Sequence, residues 1–368
     1  MRLLFAGGGT AGHINPAIAL ANHICARDKD AEIRFVGTRE GLETGLVPEA
    51  GYHLEFIKIR GFDRSLTVKN VKNLCMLPVA IHAASKMIKK FQPDAVIGTG
   101  GYVCGPVLYA AARMEIPTLV HESNAFPGIT TKLLSGWVDT VALGVEDAKA
   151  YLPKAKHTLL TGTPIRPALL EGSEFEARRE LSLDQRPFLV FFGGSLGARD
   201  FNKTVADWIC KVAKEGKYQI MMGTGKLHQY EDVMARFQAN GANIQDFPEI
   251  EVREYIYDMH RVMRAADVVI SRAGASTLCE LTALGKPAIL VPSPYVTDNH
   301  QEHNARAIER GGGAKVITEE EFTPEKLDET IQSITSNQGA LAAMKQAAAS
   351  MGHTDAAEQL YQEIKRLV

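Results

Sequence analysis

The sequence has little cysteine, and none of it is arranged for metal binding or cross-linking. Its five cysteines, Cys25, Cys75, Cys104, Cys210 and Cys279, are scattered, and no two form a C-x-x-C pair. The odd count and wide spacing exclude a disulfide framework and a zinc-ligand pattern, and they predict reduced thiols in the cytoplasm. An excess of charge of either sign is missing too. Lys and Arg number 41 against 43 Asp and Glu, and a formal net charge of −2 argues against a general nucleic-acid binder. No apolar run is long enough to span a bilayer. The first glycine run arrives too early to leave room for the apolar core of a secretory leader, so no leader is expected. Short-period repeats and low-complexity tracts are also missing, which leaves repetition at domain scale alone.

What is present is an ordinary globular balance, 45% hydrophobic and 23% charged over 368 residues. That length predicts two domains. Short apolar runs alternate with helical patterns. The first half has strand candidates at Leu3–Ala6, Ile33–Val36, Leu54–Ile57, Ala95–Gly98, Thr118–His121 and Thr140–Leu143. The second has them at Phe188–Phe192, Tyr218–Met222, Asn243–Asp246, Val268–Ser271, Ala288–Val291 and Ala314–Val316. Such alternation predicts parallel sheets covered on both faces, with right-handed crossovers. The proline-rich stretch Tyr151–Arg186 separates the halves, with a hinge expected near Thr163–Pro167. The expected domains are residues 1–163 and 164–344. The helical tail at about 345–368 is a candidate to fold back onto the first.

Two glycine-rich loops each follow an apolar strand and open a helix: Gly7–His13 and Gly193–Ala198. A strand, a glycine turn and a helix N-terminus make an anion site, because unpaired N–H groups and the helix dipole point the same way. Gly7, Gly9 and Gly12 satisfy G-x-G-x-x-G, but the second strand ends Gly37-Thr38-Arg39, without the acid a dinucleotide site uses. His13 stands where a Walker loop requires lysine. Two facing units of this kind suit a nucleotide-sugar enzyme. His13 lies at the start of a helix, which disfavours its charged form. It reads either as a neutral general base or as a loop-capping histidine.

Other polar clusters follow strands. His121–Asn124 reads as site lining or as a structural turn, and Gly98–Tyr102 as a further anion or acceptor cradle. Ser271–Thr277 leads into a helix carrying Glu280, which reads as a ribose ligand or as a surface glutamate. Asp298–Asn304 reads as a sugar-reading cluster or as a solvated helix start with Asp298 as N-cap. Lys58, Arg60, Arg64, Lys69 and Lys72 precede Leu74–Ile81, and Lys86, Lys89 and Lys90 follow it, with Asp63 the only acid. This stretch reads as a surface for anionic headgroups or a lipid-linked diphosphate, or as a buried helix with a basic face.

In order along the whole chain, these stretches resemble the MurG family of glycosyltransferases. The carriers are GGGTAGHINPA at Gly7–Ala17, GTGGYVCGP at Gly98–Pro106, HESNAFPG at His121–Gly128 and GTPIRPAL at Gly162–Leu169. GGSLGA at Gly193–Ala198, SRAGASTLCEL at Ser271–Leu281 and DNHQEHNA at Asp298–Ala305 complete the set. The family commonly has glycine at Ala11 and glutamine at Ser123 and Leu196, so no side-chain role is carried over to Leu196.

The resemblance implies a GT-B fold: two Rossmann-like, doubly wound parallel-sheet domains with an interdomain cleft. It implies transfer of N-acetylglucosamine from UDP-N-acetylglucosamine to lipid I, giving lipid II in peptidoglycan synthesis. The enzyme would work peripherally on the anionic cytoplasmic face of the bacterial membrane, with no cofactor, no metal and no nucleic acid. The implied donor residues are the Ile256 backbone at uracil, Glu280 at ribose, and Ser195 with Ala275, Ser276 and Thr277 at the diphosphate. Leu278 and Cys279 complete that run. Arg166 lies near the donor, and Asn124 and Gln301 at the sugar. Thr10, Ala11 and Gly12 bind the acceptor, with His13 the candidate base. The rivals are a UDP-N-acetylglucosamine 2-epimerase-like isomerase and a non-catalytic nucleotide-sugar-binding subunit.

Overall fold

A computed structural model describes residues 1–61, 68–226 and 229–368. The chain folds as two compact units: Met1–Arg166 together with His353–Val368, and Pro167–Gly352.

The first unit is built on seven parallel strands: β1 (Arg2–Ala6), β2 (Glu32–Gly37), β3 (His53–Phe56), β4 (Ala95–Gly98), β5 (Thr118–Glu122), β6 (Thr140–Leu143) and β7 (Thr158–Leu160). Their order across the sheet is β3-β2-β1-β4-β5-β6-β7. Leu3, Leu4, Phe5 and Ala6 are all buried, since helices cover both faces. One face packs Leu4, Val96, Val120 and Val141 against helix Val68–Phe91 and its neighbours. The other packs Leu3, Phe5 and Ile97 against helix Ala11–Arg27. The chain returns to this second face at its end. Helix Ala356–Leu367 places Leu360, Tyr361 and Ile364 in the same cluster as Leu20 and Ile24. His23 and Glu358 bond at 2.7 Å across this contact.

The second unit repeats the plan with β8 (Phe188–Phe192), β9 (Gln219–Gly223), β10 (Ile250–Arg253), β11 (Val268–Ser271), β12 (Ala288–Leu290) and β13 (Ala314–Val316). The order is β10-β9-β8-β11-β12-β13, again parallel. Helix Gln338–Ser350 belongs to this unit and packs on helix Ala275–Ala283.

Two elements differ from expectation. Asn243–Asp246 is not a strand. The Asn243 carboxamide accepts from the Gln245 N–H at 3.4 Å and caps a 3-10 turn at Ile244–Asp246, so the strand beside β9 comes later, at β10. β7 lies inside the proline-rich stretch read as a connection.

Both sheets reverse strand order at one point, between β1 and β4 in the first and between β8 and β11 in the second. In such sheets the crevice outside the carboxyl ends of those two strands is the ligand position. All four of those strands lead into glycine-bearing loops.

Candidate active site

In the first unit the loops after β1 and β4 meet around His13. The His13 Nδ1 lies 3.2 Å from the Gly8 carbonyl oxygen and 3.2 Å from the Thr10 hydroxyl. A carbonyl only accepts, so Nδ1 carries the proton and donates it. In that neutral tautomer the basic nitrogen is Nε2. The ring packs against Gly100, whose φ is +106°. A Cβ there would stand 2.5 Å from His13 Cδ2, so only glycine admits the ring.

Two buried groups lock these loops. Glu43 is fully buried. It accepts from the Thr38 N–H at 2.8 Å, the Thr38 hydroxyl at 2.9 Å and the Gly9 N–H at 3.1 Å. The Cys104 thiol lies 2.9 Å from the Ala6 carbonyl and 3.0 Å from the Gly100 carbonyl, and it accepts from the Gly100 N–H at 3.2 Å. Burial pushes this thiol up to about 12, so it stays protonated and ties β1 to the β4 loop. Sequence reasoning passed over both residues. The one available signal for Glu43 was the nearby pair Gly37 and Gly41, whose Cβ atoms would collide with its side chain.

The β5 loop is mostly a brace. His121 is buried, with Nε2 2.9 Å from the Gly162 carbonyl, and burial holds its pKa below the ordinary range. Glu122 accepts four hydrogen bonds. Oε1 takes the Asn124 N–H at 3.0 Å and Nδ2 at 2.9 Å; Oε2 takes the Gly128 N–H at 3.0 Å and the Thr131 hydroxyl at 2.7 Å. All four lone-pair sites are engaged, which leaves Glu122 poorly placed to take a proton from a substrate. Asn124 is half-buried and is oriented by Glu122. Arg166 is exposed at the last position before the second unit.

In the second unit the loops after β8 and β11 share a cavity of about 220 Å³. Gly193, Gly194, Gly197 and Ala198 line one side, and Arg272, Gly274, Thr277, Ser293 and Gln301 line the other. Helices Arg199–Val212 and Ala275–Ala283 begin at these two loops, so both present N-terminal N–H groups there. Gly197 has φ +83°, and a Cβ on it would stand 2.1 Å from the Thr224 carbonyl. The Ser276 hydroxyl, in the first turn of the second helix, is a buried polar group with no hydrogen-bond partner among the described residues. An oxygen-rich ligand would satisfy it. The Ser293 N–H donates to Gln301 Oε1 at 2.9 Å, which turns the Gln301 NH₂ into the donor end. Arg272 pairs with Glu319, Nη2 to Oε1 at 2.9 Å, so its charge is already matched.

Ala275 through Glu280 occupy one helix start, with Leu278 buried and Glu280 half-buried. Ser195 and Leu196 are exposed at the tip of the first loop. Ile256 is buried beside the end of β9, its Cδ1 3.1 Å from where a Gly223 Cβ would stand. Asp298 is not the cap of helix His300–Arg310; Asn299 is, and both have left-handed backbones, with φ of 51° and 49°. Among the described residues no helix is long and apolar enough to cross a membrane. None of their His, Cys, Asp and Glu side chains cluster in threes able to hold a metal ion.

Two family models match in tandem: the glycosyltransferase family 28 N-terminal domain over residues 3–143 and the C-terminal domain over residues 188–360. An Acetivibrio thermocellus protein named UDP-N-acetylglucosamine--N-acetylmuramyl-(pentapeptide) pyrophosphoryl-undecaprenol N-acetylglucosamine transferase is 46% identical, covering 100% of this chain and 98% of its own. The chain belongs to glycosyltransferase family 28. A crystal structure of Acinetobacter baumannii MurG is similar at TM-score 0.81 and 26% identity, covering 99% of each chain. The fold is GT-B, with one Rossmann-like sheet in each domain of the family pair. A UDP-GlcNAc 2-epimerase from Neisseria meningitidis aligns at TM-score 0.67 and 14% identity over all of both chains. At that identity it shares the fold alone.

Within the family 28 frame, Glu43, Cys104 and Glu122 hold the loops that carry Thr10–His13 and Asn124.

Proposed function

We propose that this chain transfers N-acetylglucosamine from UDP-N-acetylglucosamine to the 4-hydroxyl of the N-acetylmuramyl unit of lipid I, giving lipid II. The observation that carries the reading is full-length identity of 46% to an enzyme named for that transfer. The paired anion-ready loops at both sheet reversals supply the chemistry.

Transfer proceeds with inversion. The acceptor oxygen attacks the anomeric carbon from the face opposite UDP. The bond from that carbon to the diphosphate oxygen breaks as the new glycosidic bond forms. Negative charge grows on the leaving diphosphate, where the N–H groups of helices Arg199–Val212 and Ala275–Ala283 and the Ser276 hydroxyl stabilise it. His13 Nε2 takes the hydroxyl proton, and the Nδ1–H to Gly8 bond keeps the imidazole in the tautomer that accepts it. Thr10, Ala11 and Gly12 hold the acceptor diphosphate. Ser195, Thr277 and their neighbours bind the donor diphosphate, Glu280 the ribose diol and the Ile256 backbone the uracil. Leu278 and Cys279 complete the donor run. Arg166, Asn124 and Gln301 contact the donor.

The enzyme works peripherally at the cytoplasmic membrane face. Val79 is 63% exposed, and Lys86, Lys89 and Lys90 are exposed beyond it on the same helix. Asp63 and Arg64 of the basic stretch lie outside the described residues, as do the side chains of Lys69 and Lys72. Charge reversal at Lys86 and Lys89 weakens binding to anionic vesicles by about 1 kcal/mol per charge and spares UDP binding. Equal vesicle binding by variant and parent would remove this surface.

The decisive assay mixes radiolabelled UDP-N-acetylglucosamine with a lipid I analogue. Label moves to the lipid. Isomerised UDP-sugar formed without acceptor would replace this reading with the epimerase one.

A further inference from the structure

We propose that the cavity beside the first glycine loop is a receptor for the anionic peptide of the acceptor, an inference that rests on the proposed transfer to lipid I. The cavity holds about 510 Å³, within the range of small-ligand sites, and lies wholly in the first unit. Its mouth carries Arg39, Lys58 and Arg60 against one carboxylate, Glu40. Arg60 bonds Glu40 at 2.9 Å, and Arg39 stacks over Phe56 with its guanidinium carbon 4.8 Å from the ring centroid. Lys58 is exposed and has no ion pair among the described residues. Among the described residues that line the site, three cations less one anion leave two surplus positive charges.

The cations are not gathered at one point. From Ile57 to Arg60 burial alternates: Ile57 and Ile59 are buried, while Lys58 and Arg60 are exposed. The cations therefore stand apart from one another along the chain, with buried isoleucines between them. A diphosphate is compact and suits convergent N–H groups such as those opening helix Ala11–Arg27. Separated cations over an apolar floor suit carboxylates separated by aliphatic groups, which is the pattern of a short anionic peptide. Any peptide attached through its amino end also finishes in a carboxylate. Relatives of this chain are named for an acceptor that carries a pentapeptide.

The cavity also shares walls with the catalytic loop. Tyr102 lines it, and the Tyr102 ring lies 3.2 Å from where a Gly9 Cβ would stand. Thr38 lines it too, and it bonds the same Glu43 that accepts from the Gly9 N–H. A peptide seated there orients the sugar to which it is attached beside His13.

The test compares two lipid-diphosphate acceptors, one with the pentapeptide and one with the lactyl carboxyl capped as a methylamide. The readout is the ratio of their KM values, with kcat and the donor KM measured alongside. In the parent the peptide lowers acceptor KM. In the Lys58→Ala/Arg60→Ala variant that ratio falls about tenfold or more, as expected for losing a charge-assisted hydrogen bond. The charge-keeping Lys58→Arg/Arg60→Lys variant recovers most of it. An unchanged ratio in the alanine variant overturns the proposal. An equal rise of KM for both acceptors also overturns it, and assigns the cations to the diphosphate or the headgroups. A parent that uses both acceptors equally well sinks the peptide site and leaves the transfer reading standing. A parent that transfers to neither sinks both.

Discussion

His13 sits where a small set of contacts decides its chemistry. The Gly8 carbonyl accepts a hydrogen bond from Nδ1–H, and Gly100 makes room for the ring. Replacing His13 with alanine should cut kcat by roughly 10²–10⁴-fold, the usual worth of a positioned base. UDP affinity should hold, because the proposed donor loops belong to the other unit. Only the neutral ring accepts a proton, so the parent rate should fall on acidification as the imidazole becomes charged. Turnover against pH at saturating donor and acceptor checks both points. A variant within a few-fold of the parent rate would leave His13 as a capping residue. Glu122 would not inherit the role, since both its oxygens are already engaged. His13 stood out in the sequence because it ends a glycine run. Glu122 stood out as part of the polar run His121–Asn124, but its bracing role did not, and Glu43 did not stand out at all, because a carboxylate's bracing role depends on N–H groups that only the folded chain brings to it. Glu43 reaches Gly9 across 34 positions.

Among the elements, the strands buried on both faces were the most legible. Phe188–Phe192 reads as a continuous apolar run because helices cover both sides of the sheet. β10 was missed because Ile250–Arg253 sits at the sheet edge, with two charged residues among its four. The apolar positions around Asn243 were misread because a local side-chain bond competes with ladder formation there. Helix Ala356–Leu367 makes the clearest stability prediction. Leu360 is fully buried between this helix and the first sheet. Leu360→Ala should destabilise the protein by about 2–5 kcal/mol through lost burial and the cavity left behind, measured by urea unfolding. A loss below about 1 kcal/mol would mean that the helix contributes little to the first unit. Acid should loosen the same docking. Glu363 titrates below the ordinary glutamate range, chiefly because Arg366 bonds it, with Thr140 adding a further bond. The unfolded chain takes up this proton first. The stabilisation is therefore present above about pH 4.3 and is lost as pH falls through the lower folded value. Glu363→Gln should flatten that part of the stability curve.

At the scale of the whole molecule, one plan is used twice. Each unit opens its sheet at the first strand and its fourth-position neighbour, β1 with β4 and β8 with β11, and each opening carries glycine loops and helix N-termini. One set suits a leaving diphosphate and the other a lipid-linked diphosphate with a base beside it. The duplication was visible in the sequence as two strand–glycine–helix passages. The identity of the two ligands came from resemblance, since glycine loops bind many phosphates alike. The most direct measurement of the central claim is proton NMR of the product formed from UDP-N-acetylglucosamine and a soluble lipid I analogue. The account predicts one new β-anomeric signal, with the bond at the 4-position of the muramyl sugar and UDP released in equal amount. An α-anomeric product, or an isomerised UDP-sugar with the acceptor unchanged, would contradict it.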